Sequence, residues 1–451
     1  MRSLKPFFML LLVLFTSIGG SAQTKTLTLE QAIQSALERN LSVVQAQNNV
    51  SAAQSGVLAA YGSYLPTLSA TGGWTRYQTD RPGSDPVFFG GQLISSGSSG
   101  FSVDNDFRTN LNLNYTIFDG FAREGRFGQA TSTSVSTEQQ AARVRQTIVF
   151  QAQTSYLNVL RTGQLVKVNE ENLKRDNRQL ERITESNRVG ALSLADVYRQ
   201  QSQVASDELN LITAQNNFDK AKADLLALVG LDVSDDYAIV DPTISTEIPQ
   251  SELDSTFATY SNFKQLSQRA MSSRPDYLSA HQTLDASESG VTMARSGYFP
   301  VISASAGYGL SNPELSKIST NKSLNWGISF RWNLFDAFAT NQSLQSAVAS
   351  KRNAEISMVQ TERNINVEIK KALLDLEAAR KEYDVSQKGL RSATEDRKIA
   401  EERYNLGAGT LLDLLTANAG LVNAEANVVN ASYDYVIAKR NVEYALGERT
   451  Y

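Results

Sequence analysis

The stretch YLPTLSA at residues 64–70 decides the fold, because the chain returns to it as YFPVISA at residues 298–304. Each copy places a proline between a helix-forming segment and a run in which apolar and polar residues alternate. Proline stops a helix, and alternation with a period of two is typical of a strand with one apolar face. The sequence therefore predicts a helix-to-strand transition at Pro66 and again at Pro300, 234 residues later.

Outward from this stretch, further landmarks repeat in the same order. FDGF at residues 118–121 returns as FDAF at residues 335–338, and VGA at residues 189–191 returns as LGA at residues 406–408, both at an offset of 217. The offset falls by 17 between the first landmark and the second (234 − 217), so one loop is longer in the first copy. A duplication of this length indicates a repeated architecture.

The N-terminus predicts export from the cytoplasm. Arg2 and Lys5 precede an apolar run at residues 7–15, and small residues follow at 19–22. This is the pattern of a secretory signal peptide, which we assign to residues 1–22. The apolar run is short for an anchoring transmembrane helix, and no Cys follows the cleavage region to carry a lipid.

The composition argues against several function classes. The sequence has no Cys, so neither disulfides nor thiol chemistry contribute. Its one His, His281, argues against a transition-metal site or a His-based triad. The net charge of −4 argues against nucleic-acid binding. No phosphate-binding loop or catalytic constellation is found, so we expect no enzyme activity, cofactor or metal.

Each copy contains two strand-like segments of about ten residues, the length that a tilted strand needs to cross a bilayer. They lie at about 67–77, 107–118, 301–310 and 324–335. All three tryptophans, Trp74, Trp326 and Trp332, fall within them. Aromatic residues gather at lipid interfaces, and the Asn-rich opposite faces suit a barrel lumen. A soluble sandwich with one buried face is the alternative, and the export signal disfavours it.

Four strands cannot close a barrel, and open sheet edges do not occur in lipid. The smallest such barrels have about eight strands. The barrel must therefore be shared between chains. Two chains give eight strands and a filled interior, whereas three give twelve and room for a channel. Barrel closure alone does not choose between two chains and three.

A long helix is predicted after each strand pair, at about 122–187 and 339–404. At 1.5 Å per residue each is roughly 100 Å long. In the second, a narrow apolar stripe indicates a coiled-coil seam; it comprises Ile365, Ile369, Leu373, Leu376, Tyr383 and Leu390. Each long helix ends at a glycine turn, which we name the first tip (residues 188–193) and the second tip (residues 405–410). Return helices are predicted to end at Leu228 and Leu446.

The remaining segments complete two repeats. A helix from Leu29 to about Ala60 starts at Thr28, a plausible N-cap with Gln31 at the capping-box position. The first repeat covers residues 27–230 and the second 261–447. Between them, residues 231–260 form an acidic linker with two prolines, which we expect to be non-helical.

Taken in order and twice over, these motifs resemble the TolC-like outer-membrane efflux proteins, from about Leu27 to Gly447. The resemblance implies an α+β membrane protein that is a homotrimer. Four strands per chain would form a twelve-stranded outer-membrane barrel, continuous with a long α-helical barrel in the periplasm. It also implies an exit duct that meets a periplasmic adaptor protein and an inner-membrane transporter, and that exports small molecules.

The resemblance implies roles for particular residues. The adaptor contact would lie at the tips, on Val189, Gly190, Ala191, Leu406, Gly407 and Ala408. The gate of the closed channel would involve Asp413, Thr416, Asp196 and Tyr404. Asp413 matches the outer of two acidic rings in the family. Thr416 occupies the position of the inner ring, where the family has an acidic residue. Tyr404 and Asp196 match a tyrosine–aspartate latch, in which the family's tip arginine is replaced by Gly409.

Two other functions remain open. The same duct would serve type I protein secretion equally well. A non-transporting coiled-coil protein of the envelope is the alternative from another class, and the four membrane-length strands argue against it.

Overall fold

The computed structural model describes residues 25–83, 87–95, 100–240 and 247–448, so the predicted signal peptide lies outside the described residues. In chain order the elements are β1 (Lys25–Leu27), α1 (Leu29–Arg39), α2 (Leu41–Gly62), β2 (Thr67–Arg81), β3 (Val87–Phe89), β4 (Gln92–Ser95), β5 (Gly100–Phe118), α3 (Ala122–Arg188), α4 (Leu194–Leu228), β6 (Tyr237–Ile239), α5 (Gln250–Thr259), α6 (Phe263–Ser273), α7 (Pro275–Arg295), β7 (Val301–Asn312), β8 (Asn321–Arg331), α8 (Ala339–Asn405) and α9 (Leu411–Ala445). Short 3₁₀ helices lie at Ser296–Tyr298 and Leu315–Lys317.

The chain divides into two compact units. Of the described residues, the tip unit contains those up to Asn40 and those within Gln151–Glu252 and Ala379–Ile437. The sheet unit contains Leu41–Phe150, Leu253–Ala378 and the residues from Ala438 on. Among the described residues, no helix combines the length and the apolar character needed to cross a bilayer.

The sheet unit contains an antiparallel sheet in the order β2-β5-β7-β8, so the two repeats join where β5 pairs with β7. Its register separates two faces. One row across the sheet is Leu68, Leu113, Ala306 and Trp326, and the next residues on the other face are Ser69, Asn112, Gly307 and Asn325. The predicted apolar and Asn-rich faces are therefore confirmed.

The strand ends differ from the expectation. β2 and β5 extend beyond the predicted ends at 77 and 107, to Arg81 and from Gly100, because the cross-strand pairing continues through these residues. β8 ends at Arg331, which pairs with Val301. The next partner would be Pro300, which has no N–H to donate. Trp332 and Leu334 therefore lie beyond the strand, contrary to the prediction.

Two helical predictions also need correction. The helix expected at Leu29 to Ala60 is two helices, because Asn40 is extended and its side chain donates to the carbonyl of Leu228 at 2.9 Å. The expected linker contains the helix α5, which begins directly after Pro249, as proline favours. The capping box of α1 is confirmed: Gln31 N–H donates to Thr28 Oγ1 at 3.3 Å, and Thr28 N–H to Gln31 Oε1 at 3.1 Å.

The helices of the two repeats match in length. α3 and α8 each have 67 residues, and α4 and α9 each have 35. In the tip unit, α3 packs on α9 through Leu157, Val429 and Tyr433. Nearer the tips, Ile183, Val197 and Leu411 form a second apolar cluster. The long helix α3 is thus held by apolar contacts with neighbouring helices at two levels of the tip unit, and α8 joins the second cluster through Tyr404.

Candidate functional site: the two tips and the membrane face

The two tips have the same backbone. Gly190 has a φ of +76° and Gly407 a φ of +72°, the left-handed conformation that favours glycine. The next residue closes each turn, with Ala191 N–H donating to Ser186 O and Ala408 N–H to Arg403 O, both at 2.8 Å. Nothing lies within 4 Å of the place that a Cβ of either glycine would occupy. The glycines are required by the turn, and they leave an open surface.

Each tip carries exposed apolar side chains. Val189 is 70% exposed and Leu406 is 83% exposed. Leu194 and Leu412, in the first turns of α4 and α9, are more than half exposed. Apolar side chains clustered at the end of a helical hairpin suit contact with another protein.

The two helices that follow the tips, α4 and α9, begin with different caps. At the second tip, Asp413 N–H donates to Thr410 Oγ1 at 3.2 Å, and the Asp413 carboxylate accepts from the backbone N–H of Thr410 at 2.9 Å. These bonds complete a capping box. They lower the pKa of Asp413, because the Thr410 backbone and hydroxyl donors stabilise its charged form. At the first tip, Ser193 caps Asp196 N–H and donates to Asp196 Oδ2 at 2.7 Å.

The structure does not join the predicted latch by a hydrogen bond. The ring of Tyr404 packs against the cluster of Ile183, Val197 and Leu411, and its hydroxyl is buried without a partner. The carboxylate of Asp196 is held by Ser193 and by Arg199 at 3.1 Å. Burial, and then the charge of Asp196, raise the pKa of Tyr404, so the two groups are neighbours without being bonded.

Asp413 and Thr416 line one groove of about 280 Å³ with Asp396 and Arg403. The Thr416 hydroxyl donates to the carbonyl of Leu412 at 2.8 Å and is satisfied within its own helix. Asp396 was not predicted from the sequence. Only its packing beside the first turn of α9 reveals it, because α8 carries many acidic residues with nothing to distinguish them.

The tryptophans are exposed on the sheet unit. Trp326 is 80% exposed on the apolar face. Trp74 stacks on Phe107 with ring centroids 6.2 Å apart. Trp332, just after β8, donates its indole N–H to Tyr298 O at 3.1 Å. The apolar side chains on this face are exposed to different degrees in one chain, for example 40% for Leu113 against 80% for Trp326, and an exposed apolar surface of this kind suits contact with lipid or protein.

Metal ligands do not gather at any of these places. Within the part of the chain that the structure describes, no three His, Cys, Asp or Glu side chains come together as metal ligands would.

Comparison with known proteins identifies the class. The family model described as outer membrane efflux protein matches residues 32–231 and 266–448. The chain belongs to this family, whose two matched blocks correspond to the two repeats.

Individual relatives are distant and cover most of the chain. The chain is 22% identical to the outer membrane protein TolC of Salmonella enteritidis, over 81% of this chain and 73% of that protein. The match to TolC of Escherichia coli, at 23% identity, covers 67% of this chain and 62% of that protein. The probable efflux pump outer membrane protein TtgC of Pseudomonas putida is 24% identical, over 93% of this chain and 82% of that protein.

The fold matches solved outer membrane channels. The Campylobacter jejuni CmeC outer membrane channel aligns with a TM-score of 0.76 at 21% identity, over 93% of this chain and 85% of that one. The fold is thus that of the outer-membrane efflux channels.

Proposed function

We propose that three copies of this protein form the outer-membrane exit duct of a tripartite efflux system. The observation that carries the proposal is the four-stranded sheet. Its strands have 15, 19, 12 and 11 residues, at or above the 9–11 or so that a tilted strand needs to cross a bilayer. One face of the sheet is apolar and the other is rich in Asn, Ser and Gly.

Barrel closure supports the trimer. β2 and β8 are the edge strands of the sheet, each paired on one side only among the described residues. In lipid each unpaired backbone group costs several kcal/mol. Pairing β8 of one copy with β2 of the next removes both edges, and three copies give twelve strands around a polar lumen.

The tips support contact with a periplasmic adaptor and, through it, with an inner-membrane transporter. The exposed side chains of Val189 and Leu406 stand beside glycines that nothing crowds. A partner helix can approach such a backbone closely. The adaptor would contact Val189, Gly190, Ala191, Leu406, Gly407 and Ala408.

The gate is proposed at the second tip and the first turn of α9. In a trimer, three copies of Asp413 would lie near one axis, with Thr416 one turn further along, and would attract cations. Asp196 and Tyr404 would contribute at the same level, through packing in this chain and not through a hydrogen bond within it.

An accumulation assay tests the efflux function. Deleting the gene is expected to raise the accumulation of dyes, drugs or metals, and the intact gene is expected to restore export. Two adjacent residues provide a matched pair of variants: Ile328→Arg places a charge on the apolar face, and Ser329→Arg places it on the polar face. A lipid-facing Arg costs about 2–4 kcal/mol at the bilayer midplane, so Ile328→Arg should reduce insertion and export much more. Equal effects of the two variants would contradict the barrel orientation.

Cross-linking tests the adaptor contact. The sequence has no Cys, so Leu406→Cys introduces a single thiol at the second tip. Cross-links to the adaptor are expected from Leu406→Cys and not from Leu209→Cys, a control site in α4 that is also well exposed, at 66%. Cross-linking only from position 209 would contradict the proposed contact.

Two alternatives give different results. If the duct serves type I secretion, deletion abolishes the export of a protein and leaves small-molecule accumulation unchanged. A coiled-coil structural protein of the envelope would stay soluble without detergent.

A further inference from the structure

The α3–α4 hairpin is filled with polar side chains at positions where the second repeat has none. Five first-repeat residues correspond, at the 217-residue offset, to glycine or alanine: Asn172, Asp176, Gln200, Gln203 and Asp207 match Gly389, Ala393, Ala417, Gly420 and Ala424. The architecture is therefore compatible with small apolar residues at all five positions. Polar side chains at these positions in the first repeat need a separate explanation.

Two of these side chains are buried carboxyls that face each other. Asp176 of α3 is 1% exposed and Asp207 of α4 is 3% exposed. Asp176 accepts a hydrogen bond from Asn418 Nδ2 at 3.0 Å, and Asp207 Oδ1 accepts one from Gln203 Nε2 at 3.1 Å. Asp207 Oδ2 has no donor. In the described ranges, neither carboxylate forms an ion pair with a Lys or Arg.

The charged groups on the surrounding helices are engaged elsewhere. Arg175 of α3 pairs with Glu425 of α9 at 3.2 Å. Arg397 of α8 pairs with Glu401 at 3.0 Å and donates to Asn418 Oδ1 at the same distance. The amide of Asn418 thus connects Arg397 to Asp176. From α4, Gln200 donates to the backbone carbonyl of Asp176 at 3.2 Å and brings no charge.

Two buried carboxylates without a counter-ion cannot both be charged at low cost. Burial, and then the neighbouring Asp176, raise the pKa of Asp207 to about 7, although the amides of Gln203 and the nearby Asn172 act to lower it. A proton between the two groups supplies the donor that Asp207 Oδ2 lacks. The pair therefore changes charge close to neutral pH.

We propose that the Asp176–Asp207 pair is a proton-dependent clasp, which holds α3 to α4 when it carries one proton and loosens when both carboxyls are ionised. Asp176 also bonds to Asn418 on α9, so loosening extends to the contact between the two hairpins. If the protein is the duct proposed above, the loosened form is the one that opens more readily.

The direction of the pH effect follows from linkage. A carboxyl whose pKa is higher in the folded state binds its proton more tightly there than in the opened state. The clasp is therefore strongest at low pH, weakens as the pH rises from about 4 to 7, and changes no further above 7. One linked proton changes the local opening equilibrium by up to tenfold per pH unit.

Hydrogen exchange of the intact protein in detergent tests the clasp. Protection factors of amides near Asp176 and Asp207, corrected for the intrinsic effect of pH, are expected to fall by up to tenfold per unit between pH 5 and 7. Asp207→Asn keeps the shape of the protonated acid and donates in its place, so its protection should be high and independent of pH. Asp219→Asn changes an exposed carboxyl on the same helix and should leave the pH dependence of the parent protein unchanged.

Three results would overturn the proposal. One is protection near Asp176 that does not change between pH 5 and 8. Another is an Asp207→Asn variant that keeps the pH dependence of the parent. The third is that CaCl₂ fully restores protection at pH 8 in the parent protein but not in Asp207→Asn. That result would make the pair a metal site.

Discussion

Replacing Arg274 by alanine should destabilise the start of the second repeat more than any surface substitution. Arg274 is 2% exposed between α6 and α7. Its guanidinium donates to Ala445 O at 2.7 Å and binds both oxygens of Asp276, at 3.0 and 2.6 Å. Glu368 accepts from it at 2.8 Å. One side chain therefore connects α7, α8 and the end of α9.

The magnitude follows from what alanine leaves behind. Removing one member of a fully buried ion pair costs about 3–5 kcal/mol. Here the carboxylates that remain are partly solvated, because Asp276 is 31% exposed and Glu368 is 37% exposed. Arg143 stays 3.7 Å from Asp276 and 3.5 Å from Glu368 and partly neutralises them. The expected loss is therefore near the lower end, about 3 kcal/mol. With a urea dependence of about 1–3 kcal/mol per molar, the unfolding midpoint should fall by on the order of 1 M.

Urea unfolding of the detergent-solubilised protein measures this loss. The control is Lys174→Ala, which removes an exposed pair with Glu171 at 3.8 Å and should cost less than about 1 kcal/mol. Arg274→Lys keeps the charge, loses the two-point contact with Asp276, and should lie between alanine and the parent. If Arg274→Ala unfolds at the same urea concentration as Lys174→Ala, the network around Arg274 does not stabilise the fold.

Three further predictions concern the second tip. Gly407→Ala should destabilise the turn by about 1–2 kcal/mol, because φ is +72°; Gly420→Ala, in the open interior of α9, should stabilise by about 0.5–1 kcal/mol, and thermal unfolding compares the two. Tyr404→Phe removes a buried hydroxyl that has no partner, so the melting temperature should stay level or rise. A lower melting temperature together with increased single-channel conductance in planar bilayers would instead support the predicted latch between Tyr404 and Asp196. Thr410→Ala should raise the pKa of Asp413 and weaken the first turn of α9. This weakening should shrink in acid, once the pH is below the lowered pKa of the parent's Asp413; hydrogen exchange at residues 411–414 measures it.

Local pattern predicted the elements of this fold well. Period-two alternation predicted the strands and their faces, and glycine at residues 190 and 407 predicted the ends of the long helices. These features depend on neighbours in the sequence. The strand extensions to Arg81 and from Gly100 depend on cross-strand pairing, and the break at Asn40 depends on a bond to Leu228, 188 residues away. The local sequence indicates neither the cross-strand pairing nor this long-range hydrogen bond.

The candidate site was less predictable for the same reason. The tip turns follow from glycine conformation, but the gate residues came from family resemblance, and the structure shows Asp196 bonded within its own turn. The buried pair of Asp176 and Asp207 was missed because charged residues are almost never fully buried. In a helix rich in Asn, Gln and Glu, nothing local marks Asp176 as different.

The duplication shows how contacts diverge while the backbone is kept. Gly230 and Gly447 end the return helices with a φ of +71° and +72°, and each packs closely against the chain at the start of its repeat. At the start of the first repeat, the neutral side chain of Asn40 caps Leu228 with one hydrogen bond. The equivalent residue at the 234-residue offset is Arg274, which caps Ala445 through a charged network. The first contact should therefore be insensitive to pH and salt. The second depends on Asp276, because protonating that carboxylate removes one counter-ion of the buried Arg274. Burial opposes the charged form of Asp276, but the hydrogen bonds and charge of Arg274 outweigh it and lower the pKa of Asp276. Equivalent helix ends in the two repeats are thus capped by a neutral side chain in one case and by an ionic network in the other. Acid should loosen only the contact of Arg274 with the end of α9.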